Sequence, residues 1–255
     1  MKLARAIYAA LIIFFLVAPL LVILPLAFTS SAFLTYPIPS FSLRWFEELV
    51  VRSVWSRAIL NSLIIAGSTT VLATALGTLA ALGLRSLGLG LRGQIQTLFL
   101  LPMVVPAVVL GVGMQAIFVR VGINSTYFSV IAAHTVIAIP FVLISVSGAL
   151  AGIDPRVERA AESLGASPPR VFALVTLPLA MPGVLSGAAL AFATSLDEVV
   201  LTLFVAGPNQ RTLARQMFSS LRENISPAIA SAAFIIIVGT VLVAAALLLL
   251  RRKRA

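Results

Sequence analysis

Six stretches of this chain stay apolar for longer than a water-soluble element does: roughly 7–29, 58–84, 94–118, 128–150, 181–206 and 228–250. Crossing a hydrocarbon core of about 30 Å takes about 20 residues of helix at about 1.5 Å each, and every window meets that length. No water reaches backbone N–H and C=O groups inside a bilayer, so a spanning segment is either a helix or part of a closed barrel. Barrel strands are short and alternate apolar with polar residues, and these windows do neither. The sequence therefore predicts an all-α membrane protein, six transmembrane helices in a single domain over 1–255.

Composition agrees: 60% of the 255 residues are hydrophobic and 10% are charged, which a soluble domain of this size cannot wrap without exposing large apolar patches. The first window follows Lys2 and Arg5 as a secretory signal would, but its apolar run exceeds a signal core, so it reads as a retained span. Lys and Arg in short loops stay cytoplasmic. With the N-terminus inside, that side receives eleven of them (Lys2, Arg5, Arg85, Arg92, Arg156, Arg159, Arg170, Arg251, Arg252, Lys253, Arg254) against seven outside. Both termini are thus expected in the cytoplasm. The net charge of +10 flanks spans and does not interleave with aromatics, which argues against nucleic-acid binding. With no cysteine and His134 as the one histidine, no metal site is expected.

Two loops carry structure of their own. Residues 41–57 place Trp45, Phe46, Leu49 and Val50 on one helical side, which predicts a short surface helix with Trp45 and Trp55 at headgroup level. Packing of these aromatics on the bundle is the structural alternative. The loop at 151–180 is too long to be structureless between bundle helices. Asp154 can cap a helix that Pro155 opens and Gly165 ends, and Ser167 and Pro168 can start a second short helix running to Pro178. Two short helices hinged at Gly165 would form a small charged knob, with Ala160 and Ala161 letting another backbone come close.

The order Ala160-Ala161, Gly165, Val175, Leu177-Pro178 resembles the EAA loop of ABC importer permeases. Asn61-Ser62 and the run SLDEVVLTLFVAGP resemble the spermidine/putrescine-type members, so that the likeness covers about 58–250. It implies a type I importer permease (MetI-like) bundle whose cytoplasmic coupling loop docks an ATP-binding cassette subunit dimer through Glu158, Arg159, Ala160, Ala161, Glu162, Gly165, Leu177 and Pro178. One position departs from the pattern: the family's glutamate before the two alanines is Arg159 here, and the acid stands one residue earlier at Glu158.

The same resemblance implies a second, paralogous permease subunit, a periplasmic substrate-binding protein, and a place in the bacterial inner membrane. ATP and Mg belong to the partner ATPase. This chain has no GxxxxGK[ST] phosphate loop, is expected to bind no cofactor and is not expected to be an enzyme. Its expected role is to move a small solute, a polyamine by the fifth-span likeness, from periplasm to cytoplasm by alternating access. Amino acids, phosphonates or opine-like compounds are the alternative cargoes. An ion-coupled secondary transporter would need no docking loop and would carry inverted repeats, which are not visible.

Within the spans, Asp197 and Glu198 are the costly residues, and ionisable groups in lipid are functional or paired by default. Asp197 lies about fifteen residues from Pro182, roughly 22 Å along a helix, which places it in the outer half of the membrane. Thr194 on the same side and Asn61 at the head of the second span complete the candidate pathway or gate, with interhelical pairing as the alternative. His134 reads as a buried residue bonded to a neighbouring helix. Pro102, Pro106 and Pro140 can kink their spans, and Gly67, Ala75 and Gly77 can let helices approach.

Overall fold

The computed structural model describes residues 2–223 and 225–252; Lys253 and Arg254 of the terminal basic cluster lie outside the described residues. Helices follow one another: α1 Lys2–Leu26, α2 Arg44–Val51, α3 Ser53–Ser86, α4 Leu89–Val104, α5 Ala107–Arg120, α6 Tyr127–Ala151, α7 Pro155–Ser163, α8 Pro168–Val171, α9 Leu177–Asp197, α10 Val200–Val205, α11 Leu213–Glu223 and α12 Ala228–Arg252. Among the described residues the β-type pairing is an isolated bridge between Thr29 and Phe41. The chain is all-α.

Four helical stretches are each long and apolar enough to cross a bilayer: Arg5–Leu26, Ser53–Ser86, Tyr127–Ala151 and Pro168–Asp197. The window expected as one span over 94–118 is instead two helices, α4 and α5, bent by 101°. Pro106 causes the break. It has no N–H to continue α4, and its ring forces Val105 into an extended conformation, φ −70° and ψ 131°. The window at 181–206 is also interrupted, because α9 ends at Asp197 and α10 begins at Val200, with Glu198 extended between them. In α12 the apolar part among the described residues is Ala228–Val243.

The chain separates into two compact units, Met1–Ala58 with Gln216–Gly239, and Ile59–Arg215 with Thr240–Ala255. In the first, Phe28 gathers three aromatic neighbours: it stacks on Phe41 at 5.5 Å, tilts against Phe46 at 5.1 Å and meets Phe234 edge-on at 5.2 Å. Ser231 Oγ donates to the Ala27 carbonyl at 2.8 Å. Trp45, expected at headgroup level, is buried and donates its indole N–H to the Ser31 carbonyl at 3.1 Å, and Trp55 is buried as well. Packing accounts for both rings, since α2 turns Trp45 and Leu49 inward and leaves Val50 in the open.

The second unit is organised around α6 and α9, its most extensive helix pair. Gly183 and Gly187, four residues apart on α9, let the two backbones touch: a Cβ at 183 would lie 2.7 Å from the Ser145 carbonyl oxygen, and one at 187 would lie 2.9 Å from Val142 Cα. Gly77 of α3 meets the same Val142 from another side, where a Cβ at 77 would lie 2.7 Å from the Val142 Cβ. Of the three small residues expected to mediate packing, Gly77 does so; Gly67 has open space where its Cβ would be, and Ala75 is exposed. Around this seam Ala73, Ala81, Leu84, Val146, Leu150 and Ala180 form one apolar cluster. A second, with Ile65, Val130, Ala133, Leu201 and Val205, fills the other end.

Candidate functional site

Local chemistry builds the loop after α6 as its residues dictate. The Asp154 carboxylate accepts from the Arg156 N–H at 2.8 Å, and Pro155 opens α7. Gly165 sits at φ +86°, where a side chain is strained, and ends the helix. Its N–H donates to the Glu162 carbonyl at 2.9 Å while that of Ala166 donates to Ala161 at 3.2 Å, the paired bonds of a Schellman motif. Pro168 then opens α8 after Ser167, whose side chain makes no cap bond.

The second short helix does not stop at Pro178 as the sequence suggests. From Pro168 the chain stays helical to Asp197, through one wide π turn over Phe172–Thr176. In that turn the Leu177 N–H reaches back five residues to the Phe172 carbonyl, immediately before Pro178, which has no N–H to donate. The end of the loop and α9 therefore form one continuous helical stretch. Leu177 is half-buried in it and Pro178 is exposed.

Glu158 is turned toward its own chain. Its Oε1 accepts from Arg85 Nη1 at 2.8 Å and from Thr176 Oγ1 at 2.6 Å, tying α7 to the end of α3 and to the π turn. A cavity of about 320 Å³ lies beside this knot, with Glu162, Val171 and Phe172 in its wall. Partial burial alone would raise the Glu158 pKa, but the hydrogen bonds from Arg85 and Thr176 and the Arg85 charge outweigh it and hold the carboxyl below its ordinary 4.5. A depressed carboxylate stabilises the fold fully above its unfolded pKa, and that contribution is lost as pH falls through the lower folded value. Protease resistance of the 155–167 loop should accordingly stay constant from pH 8 to about pH 5 and fall under stronger acid. Glu158→Ala should remove the acid-dependent step and weaken the loop by about 1–3 kcal/mol even at pH 7. Sequence spacing gave no sign of this knot, since Arg85 is 73 residues from its partner and served only as an orienting charge.

With Glu158 inside, the opposite face of α7 presents Arg156, Ala160 and Ser163, flanked by Arg159 on one side and by Val157 and Leu164 on the other. Ala160 is exposed and Ala161 half-buried. Leu164 is 90% exposed, and Val157 is 46% exposed. Neither was singled out from the sequence; the signal was present as apolar residues at i, i+3 and i+7 on an otherwise charged helix.

At the break in the fifth span, Glu198 caps α10: its carboxylate accepts the Leu201 N–H at 2.7 Å. His134 of α6, fully buried, bridges the break with Nδ1 2.8 Å from Ser195 Oγ and Nε2 2.9 Å from Thr202 Oγ1. Thr202 spends its own proton on the Glu198 carbonyl at 3.1 Å, so it accepts from Nε2–H, and the neutral ring accepts from Ser195 at Nδ1. Asp197 by contrast is exposed at the last turn of α9, and Thr194 is half-buried. The break ends the helical face that Thr194 and Asp197 share.

Asn61, expected along a pathway, is held by bonds within the chain. It is buried, donates both Nδ2 hydrogens to the carbonyls of Asn209 and Arg211 at 2.9 Å, and accepts from the Tyr127 hydroxyl at 2.7 Å. Ser62 adds a bond from the Leu213 N–H at 2.8 Å. Together they hold the loop after α10 to the head of α3, which leaves the Asn61 amide no free donor.

Comparison with known proteins agrees with this architecture. The family of binding-protein-dependent transport system inner membrane components matches residues 73–255. The chain is 35% identical over 230 residues to the putrescine transport system permease protein PotI of Escherichia coli (strain K12), covering 87% of this chain and 81% of the relative. It is 33% identical over 196 residues to the spermidine/putrescine transport system permease protein PotC of Haemophilus influenzae, covering 77% and 76%. A solved bacterial ABC transporter involved in the import of the acidic polysaccharide alginate shares the fold, with a TM-score of 0.73 at 18% identity over 99% of this chain and 95% of that one. The chain therefore belongs to the binding-protein-dependent transport system inner membrane components: it is a permease subunit of an ABC importer, a transport protein and not an enzyme.

Proposed function

We propose that this permease imports a polyamine, putrescine or spermidine, from periplasm to cytoplasm by alternating access. Similarity to PotI and PotC over most of the chain carries the substrate class. In this reading one transmembrane domain makes six crossings, by α1, α3, the bent pair α4–α5, α6, α9 with α10, and α12. The excess of basic residues in the loops on the α7 side supports cytoplasmic termini. The loop from Asp154 to Pro178 then faces the cytoplasm and docks an ATP-binding subunit dimer, which supplies the ATP and Mg chemistry. A second permease subunit, paralogous to this one, completes the pathway, and a periplasmic substrate-binding protein delivers cargo.

Asp197 is the group on this chain that suits a cationic cargo. A carboxylate at the C-terminal end of a helix is opposed by the helix dipole, a cost that contact with an ammonium group offsets. Uptake of labelled putrescine by proteoliposomes holding the whole importer should require ATP, and Asp197→Asn should lower it by about tenfold, the loss of one charge-assisted hydrogen bond. Unchanged uptake in that variant would remove Asp197 from the pathway. Failure of the binding protein to bind any polyamine would remove the substrate class.

A further inference from the structure

The outer face of α7 carries two guanidinium groups, and the acids around them are already committed or turned away. Glu158 is bonded to Arg85 and Thr176, Asp154 caps the helix at the Arg156 N–H, and Glu162 lies toward the cavity beside the Glu158 knot. Among the described residues the ion pairs are Arg85–Glu158 and Arg52–Glu48, and none of them involves Arg159. Val157, Ala160 and Leu164, all exposed, form a stripe on this face, with Arg156 along its edge and Arg159 beyond Arg156 on the other flank. The surface is an apolar stripe edged by positive charge. A complementary partner needs an apolar cleft to take the stripe and an acid at its rim, because an apolar rim would strip water from a guanidinium without return and a basic rim would repel it.

We infer that the ATP-binding subunit meets α7 with a carboxylate placed against Arg159, at the edge of an apolar cleft that takes Val157, Ala160 and Leu164. The inference rests on the proposal that this loop docks the ATPase, and it fixes the sign of the contact: positive on the permease, negative on the ATPase. Arg170, exposed on α8, lies on the same loop and is also positive.

Zero-length cross-linking of the intact importer tests it. Arg159→Lys keeps the charge and supplies an amine, and a water-soluble carbodiimide joins an amine to a carboxylate only where the two touch. Peptide mass spectrometry should find position 159 linked to an Asp or Glu of the ATP-binding subunit, and Arg159→Glu should weaken retention of that subunit by about tenfold or more. A link confined to Glu162 of this chain, a link to a lipid headgroup, or no link in a complex that still co-purifies would overturn the inference while leaving docking intact. If Leu164→Asp retains its ATPase like the wild type, the docking proposal itself fails and the inference with it.

Discussion

Gly183→Leu should leave almost no monodisperse permease after detergent extraction. A Cβ alone at this position would lie 2.5 Å from Ala149 Cβ and 2.7 Å from the Ser145 carbonyl oxygen, and the second of these is backbone of α6. A flexible side chain can swing aside, but two helices locked along their length cannot part at one point without losing contacts on both sides. Overpacking in ordinary cores costs about 1–3 kcal/mol. Here the leucine would also separate Gly187 from Val142, so the loss should reach a large share of the roughly 5–15 kcal/mol that holds a domain together. Gly67→Leu is the matched control, because its Cβ direction is open. Wild-type elution and yield for Gly183→Leu, measured by size-exclusion chromatography of a fluorescent fusion, would show that α6 and α9 are not packed as described.

Leu164→Asp should give the opposite phenotype, a permease that inserts and folds normally yet loses its ATPase. Leu164 is 90% exposed at the C-terminal end of α7 and contributes almost nothing to the isolated fold. An acid there opposes the helix dipole by only about 0.3–1 kcal/mol. In the docked state the substitution forfeits the burial of a leucine, about 1.5–3 kcal/mol, and drives a carboxylate into an apolar cleft. A loss of roughly hundredfold or more in affinity follows, with ATP-driven uptake abolished at ordinary subunit concentrations. The ratio of ATPase to permease after purification is the readout, and a full complement of ATPase on this variant would contradict docking through this face.

Much of this was legible in the residues. Length and continuity of the apolar windows are enough to demand membrane helices, because backbone satisfaction in lipid admits so few alternatives. Capping is equally local: Asp154, Pro155 and Gly165 each act through bonds to residues within five positions, so their roles follow from order alone. Pro106 was visible as a kink, but whether a proline bends a span slightly or folds it back by 101° depends on what the two halves pack against.

The polar residues inside the bundle divide differently. As types, Asn61, His134, Glu158 and Glu198 announced that each needs a partner, since an unpaired polar group is costly once buried. Which partner each found was settled by contacts across 66 residues for Tyr127 with Asn61, 61 for Ser195 with His134 and 73 for Arg85 with Glu158. A single sequence carries no trace of such distances. The Asn61 amide and the Glu158 carboxylate are thus spent on partners within the chain, while Asp197, Arg159 and Leu164 are exposed.

Taken by itself, then, the sequence determined that this chain is helical, lies in a membrane, and carries a capped helical loop after α6, because hydrophobic length and helix capping act over a few residues. The tertiary structure alone decided where α6 and α9 touch, which acid is spent inside, and which face of α7 stays exposed. Those outcomes depend on side chains meeting in space, and the spacing of residues along the chain does not encode where they meet.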